Sequence, residues 1–168
     1  VSQSGEQILN VDAKLFFTHR GIEKGVEGLS LELAFYQIER ICGACSVSHA
    51  LSYAQGIEKM ARIEISKRAE YIRCLVAELE RLYNHVGDIG NLCAGLEFAV
   101  GISQGSRIKE SIMRLNEQIT GNRFLRGMIT LGGVNFDIPL EISREIGKKI
   151  DELDKEFAEL IGLLQNNS

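Results

Sequence analysis

The chain has 168 residues, 45% of them hydrophobic and 25% charged, with a formal net charge of −4. That size and balance suit one globular domain with its own core, and the acidic excess gives no basis for nucleic acid or an anionic membrane as partner. The four cysteines (Cys42, Cys45, Cys74, Cys93) sit in a chain too long and loop-poor for a secreted disulfide scaffold, and no apolar run is long enough to span a bilayer directly. A reducing, cytosol-facing compartment is therefore expected. One proline and no tryptophan point to a helical protein.

In chain order, residues 7–18 alternate weakly around Ile8, Val11 and Leu15-Phe16-Phe17, which predicts one or two short strands. A short helix is expected over 20–27, broken by Gly28. Ser30 is placed to cap the next helix, with Glu32 in its first turn, and the helix runs to about Ile41. Gly43 allows a sharp turn, and Ser46 or Ser48 starts another helix through Ala50, Ala54 and Met60. The longest element is expected over about 65–96. Ile65, Ala69, Ile72, Val76, Leu79, Tyr83, Val86, Gly90 and Cys93 alternate steps of four and three, the seam of a packed helix roughly 45–50 Å long. A second seam, Leu75, Leu82, Ile89 and Leu96, predicts burial between several helices. A helix follows around 104–120 with Gly121 as its stop, then a glycine-punctuated stretch over 123–139, then a last helix over about 140–164. The predicted fold is mainly α, a bundle around the 65–96 helix with a minor β element near the N-terminus. The polar start at Val1 and the finish at Asn166-Asn167-Ser168 are those expected of a piece of a longer polypeptide, read as one domain over 1–168.

The most informative residues are Arg40-Ile41-Cys42-Gly43-Ala44-Cys45-Ser46-Val47-Ser48-His49. Two thiols three positions apart, with an imidazole four positions later, form a soft-ligand cluster at the mouth of a helix. Three chemistries compete for it. Structural zinc needs a second close-spaced Cys/His pair, and Cys74 and Cys93 lie far apart on an apolar helix, where isolated cysteines are usually core residues. A thioredoxin-like dithiol enzyme has the right local spacing, since a helix N-terminus favours thiolate, but needs a parallel strand before it. The segment before Cys42 has helical periodicity instead. The third chemistry is one side of a transition-metal centre, two thiolates on one turn chelating a soft metal whose other ligands come from elsewhere.

The pattern Arg40-Ile41-Cys42-Gly43-x-Cys45-x-x-x-His49 resembles the N-terminal metal motif of [NiFe] hydrogenase large subunits. Arg20-Gly21-Ile22-Glu23 resembles an upstream element of the family. Glu80-Arg81-Leu82-Tyr83-Asn84-His85, Gly87-Asp88-Ile89-Gly90 and Gly132-Gly133-Val134 are similar to its energy-converting, membrane-associated branch. That branch includes formate hydrogenlyase subunit 5 and shares ancestry with the 49 kDa subunit of complex I, which lacks the cysteine ligands. The resemblance implies a nickel–iron centre held by Cys42 (terminal on nickel) and Cys45 (bridging nickel and iron). It implies a magnesium or iron ion near Glu23, a tuning role for His49 beside the bridging sulfur, and charge compensation by Arg40. It further implies reversible hydrogen oxidation or proton reduction, and an iron–sulfur small subunit whose clusters exchange the electrons. Membrane-anchored complex I-like subunits would hold the protein peripherally on the inner face of the cell membrane. The family's second Cys-x-x-Cys does not occur here, so the chain alone is expected to carry half a site.

Other polar residues have plainer readings. Glu23 between Arg20 and Lys24 fits a surface ion pair, and His19 a structural role. His85 and Asp88, near Asn84 and Asn91, fit a buried hydrogen-bond network or a subunit contact. Arg107, Lys109 and Arg114 read as a solvated face, and Gly101 to Gly105 lacks the ending of a phosphate loop.

Overall fold

A computed structural model describes residues 2–165. Its elements are β1 (Ser2–Ser4), β2 (Gln7–Asn10), α1 (Ile22–Gly25), α2 (Leu31–Ile38), α3 (Ser46–Ala61), α4 (Lys67–Gly95), α5 (Ala99–Thr120), β3 (Ile129–Thr130), β4 (Gly133–Val134) and α6 (Leu140–Gln165). The architecture is mainly α, with α4 as the axis, as its periodicity predicts.

Helix α4 is 29 residues long, roughly 43 Å at 1.5 Å per residue. Ser66 caps it, its hydroxyl accepting from the Ala69 amide at 3.2 Å. From Ala69 to Cys93 every residue of the first seam is buried. The second seam is half-buried at Leu75, Leu82 and Ile89, while Leu96 is exposed because the helix ends just before it. Ser30 caps α2 in the same way, accepting from the Leu33 amide at 3.3 Å.

α5 begins five residues before the periodic pattern does, and α4 and α5 form the most extensive helix interface. Three contacts run in opposite directions along the two helices: Cys93 with Gly101, Gly90 with Gly105, and Gly87 with Lys109. The pair is therefore an antiparallel hairpin. A Cβ on Gly105 would stand 2.7 Å from the Gly90 Cα, so the backbones meet where neither residue has a side chain. Gly101 and Gly105, in the stretch that lacks the ending of a phosphate loop, are interface positions inside the helix.

Two apolar clusters line this axis. One joins Phe35, Val47, Ala54, Val76, Met128 and Ile146 around the first half of α4. The other joins Tyr83, Val86, Ile112, Leu153 and Leu160 around its second half, under α5 and α6.

The β content departs from expectation twice. The N-terminal hairpin is β1–β2, antiparallel over 2–10, and Leu15, Phe16 and Phe17 stand exposed outside any strand. A second hairpin, β3–β4, pairs Ile129 with Val134 inside the glycine-punctuated stretch. Its position is set by a buried ion pair. Arg73 of α4 donates from Nη1 and Nη2 to the Glu58 carboxylate of α3 at 2.9 and 2.6 Å. The same guanidinium donates to Gly133 O at 3.0 Å and Thr130 O at 2.8 Å, while Glu58 accepts the Gly132 amide at 2.8 Å. One planar fork thus ties two helices to both strands. Arg68 adds a surface tie from α4 to Asp137 and the Ile138 carbonyl.

Candidate functional site: the cysteine turn

Cys42 and Cys45 occupy the turn between α2 and α3, half-buried, with Cα atoms 5.4 Å apart and their sulfurs paired as a disulfide. Helix α2 leads into the turn, so no strand precedes it and the thioredoxin-like setting is absent. Cys45 is the N-cap of α3, but its side chain caps nothing. The cap comes from α4. The Glu80 carboxylate, 2% exposed, accepts the Val47 amide at 2.6 Å, the Ser48 amide at 2.9 Å and the Ser48 hydroxyl at 2.5 Å. A buried carboxylate at the positive end of a helix is electrostatically favoured there.

The carbonyls of the turn face side-chain donors from four parts of the chain. Arg20 donates to Arg40 O at 3.3 Å and also to Ile41 O. Ser46 Oγ donates to Cys42 O at 3.3 Å, and Arg126 Nη2 to Gly43 O at 3.4 Å. Ala44 O accepts from Tyr83 Oη at 2.5 Å and Asn84 Nδ2 at 2.7 Å. Arg126 Nε reaches Ser46 Oγ at 3.0 Å, and its guanidinium lies 5.2 Å from the centre of the Phe124 ring. Phe124 in turn meets Tyr83 edge-on, with centroids 6.2 Å apart. Beneath them Glu39, 3% exposed, accepts the Gly127 amide at 2.6 Å. Burial, and next the nearby Glu80 charge, push the Tyr83 phenol well above the usual tyrosine range.

Two family models meet within the chain. Residues 20–99 match the model described as nickel-dependent hydrogenase, and residues 99–168 match that of the 49 kDa subunit of respiratory-chain NADH dehydrogenase. The chain belongs to the superfamily that joins these two groups. Among its relatives, hydrogenase-4 component G of Escherichia coli is 34% identical over 95% of this chain and 29% of its own length. Membrane-bound hydrogenase subunit alpha of Pyrococcus furiosus is 37% identical over 82% of this chain and 32% of its own. NADH-quinone oxidoreductase subunit 4 of Thermus thermophilus is 33% identical over 95% of this chain and 41% of its own. The chain thus spans less than half the length of these relatives.

Within this hydrogenase/49 kDa superfamily member, the structure brings some sequence-chosen residues together and separates others. His49 lies one turn after Cys45 on α3, half-buried, and its imidazole has no hydrogen-bond partner among the described residues. Arg40 turns away, donating to Tyr36 O at 2.7 Å and approaching Glu39 at 3.5 Å. Glu23 is exposed in the first turn of α1 and forms no ion pair among the described residues. Lys24 pairs with Glu27 at 2.5 Å instead, so the ion-pair reading of Glu23 fails. His85 and Asp88 are exposed, which removes the buried network and leaves the subunit contact of the two readings. Cys93 is buried as expected, but Cys74 is exposed beside a groove of about 870 Å³ between α3 and α4 that excludes the cysteine turn. Arg107 bridges to Glu156 of α6 at 3.0 Å rather than standing free in solvent.

Sequence reasoning missed Arg126, Glu39, and the direct contacts of Tyr83 and Asn84 with the turn. Arg126 lies 83 residues from Gly43, with no periodic pattern to announce it. Among the described residues no group of three or more His, Cys, Asp or Glu gathers to hold a metal, and no helix is long and apolar enough to cross a membrane.

Proposed function

We propose that this chain is part of the large subunit of an energy-converting [NiFe] hydrogenase, contributing two of the thiolates of the nickel–iron centre. The observation that carries this reading is the Cys42–Cys45 pair on one held turn. The donor set fits. Once the Cys42–Cys45 disulfide is reduced, two soft thiolates on one turn suit nickel and iron, and they can grip a metal from one side only. With no third ligand gathered beside them among the described residues, the remaining ligands come from elsewhere in the assembled enzyme.

When bound, the nickel–iron centre supplies the redox-active Lewis acid for reversible hydrogen oxidation or proton reduction. The chain's own residues do the rest. Cys42 and Cys45 would hold the metal through their sulfurs, and the Cys42 thiolate would supply a base for a proton. His49 lies on the same face of α3 as Cys45, one turn on, and orients or tunes its sulfur. Glu80 holds the start of α3, and the core around Val47 and Tyr83 keeps water from the inner side of the turn. Glu23, exposed and unpaired among the described residues, is open to a magnesium or iron ion once the remaining ligands surround it.

The implied partners are an iron–sulfur small subunit that takes the electrons and membrane-anchored complex I-like subunits. Relatives named as components or subunits of membrane-bound and quinone-linked enzymes support this assembly, with the protein peripheral on the cytoplasmic face.

Two tests separate the readings. In the assembled enzyme, Cys42→Ser and Cys45→Ser should each abolish nickel retention, measured by elemental analysis, and hydrogen turnover with it. Full activity in either variant removes the ligand assignment. The 168-residue chain purified alone should hold less than stoichiometric nickel. The second reading is a metal-free scaffold of the 49 kDa type, favoured by the match over 99–168. It predicts assembled enzyme without nickel and unchanged quinone-linked activity in the cysteine variants. A dithiol enzyme is disfavoured because helix α2, not a parallel strand, leads into the cysteine turn.

A further inference from the structure

We propose that Arg126 is a positioning residue for the cysteine turn. It completes a set of side chains that hold consecutive carbonyls from Arg40 to Ala44, so that the two sulfurs face each other before any metal arrives. The inference rests on the reading of Cys42 and Cys45 as ligands, and it adds a residue that no motif at the turn predicts.

The geometry is specific. A tight turn between two helices leaves its carbonyls without intrahelical partners. Here each has a donor: Arg20 for residues 40 and 41, Ser46 for 42, Arg126 for 43, and Tyr83 with Asn84 for 44. Arg126 makes two of these connections at once. Its Nη2 bonds Gly43 O directly, and its Nε bonds Ser46 Oγ, which itself donates to Cys42 O. The peptide units on both sides of Gly43 therefore depend on one guanidinium. That guanidinium is in turn fixed: it rests on the Phe124 ring, and the next residue's amide is anchored in the buried Glu39 carboxylate. A lysine could reach one acceptor but not fork to two. Arg126, not Arg40, is thus the cation that the fold brings onto the turn between the thiols.

The test measures how readily the two sulfurs meet. The chain is equilibrated with mixtures of reduced and oxidised glutathione. Closure of the Cys42–Cys45 dithiol passes two electrons and two protons to oxidised glutathione, which leaves as two thiols. The fraction closed is read by alkylation and mass of the tryptic peptide 41–59, which holds no other cysteine. Arg126→Gln should lower the closure constant about tenfold, the loss expected for charge-assisted bonds to the turn, with Arg126→Lys in between. Gly105→Ala, at the α4–α5 crossing against Gly90, should lower the urea midpoint and leave the closure constant unchanged. Closure within twofold of wild type in both Arg126 variants overturns the proposal, as does an equal loss in Gly105→Ala. Should Arg126→Gln fail to melt cooperatively, Arg126→Lys and Asn84→Ala carry the same comparison. Nickel content of the assembled enzyme carrying Cys42→Ser or Cys45→Ser, measured by elemental analysis, judges the ligand reading separately. Nickel retained in both variants sinks that reading, while the glutathione result still decides the role of Arg126.

Discussion

Replacing Arg73 by methionine tests how the second hairpin is held. The guanidinium is 4% exposed and its partner carboxylate 8%. Without Arg73, the Glu58 carboxylate keeps one described donor, the Gly132 amide, and the carbonyls of Thr130 and Gly133 lose theirs. Removing one partner of a buried ion pair costs about 3–5 kcal/mol, because the other charge stays buried. For a chain of this length that corresponds to a melting temperature lower by roughly 10–15 °C. Replacing both partners (Arg73→Met with Glu58→Leu) removes the stranded charge and leaves chiefly the buried Gly133 carbonyl without a partner, a cost of about 1–3 kcal/mol. The double variant should therefore be more stable than Arg73→Met alone. Urea unfolding followed by far-ultraviolet circular dichroism measures all arms. The reasoning fails if Arg73→Met lies within about 0.5 kcal/mol of wild type, the scatter of an ordinary surface change. It fails equally if the double variant loses the sum of the two singles. The pH dependence adds a check of sign. The Arg73 hydrogen bond, outweighing burial, holds the Glu58 carboxyl below its usual range. Its contribution is present above the ordinary glutamate value and is lost as pH falls through the lower native value, so Glu58→Gln should flatten the acid limb.

Gly105→Ala should cost about 1–3 kcal/mol, because its Cβ would stand 2.7 Å from the Gly90 Cα. Gly147→Ala, in α6 with nothing within 4 Å, should instead stabilise by up to about 1 kcal/mol; equal urea midpoints for the two would contradict the packing. Glu80→Ala should cost about 1–3 kcal/mol and speed hydrogen exchange at the Val47 and Ser48 amides, which lose their buried acceptor; unchanged protection there would remove Glu80 as the cap. The Tyr83 phenol is raised by burial and by Glu80, so its contribution is present below the ordinary tyrosine value and is lost as pH climbs beyond it. Tyr83→Phe should give a flatter stability curve above about pH 10, and superimposable alkaline curves would count against that burial.

Much of the fold was legible because α4 repeats a pattern. Steps of four and three from Ala69 to Cys93 admit one helix face, and that face is buried. Ser30 announced its helix by chemistry local to one turn, whereas the cap at Ser66 emerged only in the structure. The missed features lack such local marks. Strands of two residues, as in β3 and β4, are too short to carry a period. Gly101 and Gly105 show as interface positions only once α4 is laid against them. At the candidate site, Cys42 and Cys45 stood out by spacing alone. The side chains that hold their turn come from 39 and 83 residues away, Tyr83 and Arg126 among them, and only tertiary packing delivers them. The resemblance implies charge compensation by Arg40, but its side chain follows the α2 backbone back to Tyr36.

The meeting point of the two family matches at residue 99 is not a seam at which this protein can be divided. The helical hairpin on either side of it interlocks through Gly90 and Gly105, and Arg126 reaches back from the later segment to the Gly43 carbonyl and Ser46 hydroxyl of the cysteine turn. A polypeptide severed there would keep both sulfurs yet forfeit the hand that steadies them. Swapping the later half between relatives should therefore carry Arg126 and Gly127 along with it, since inheritance of the cysteines without them would transmit only part of the trait.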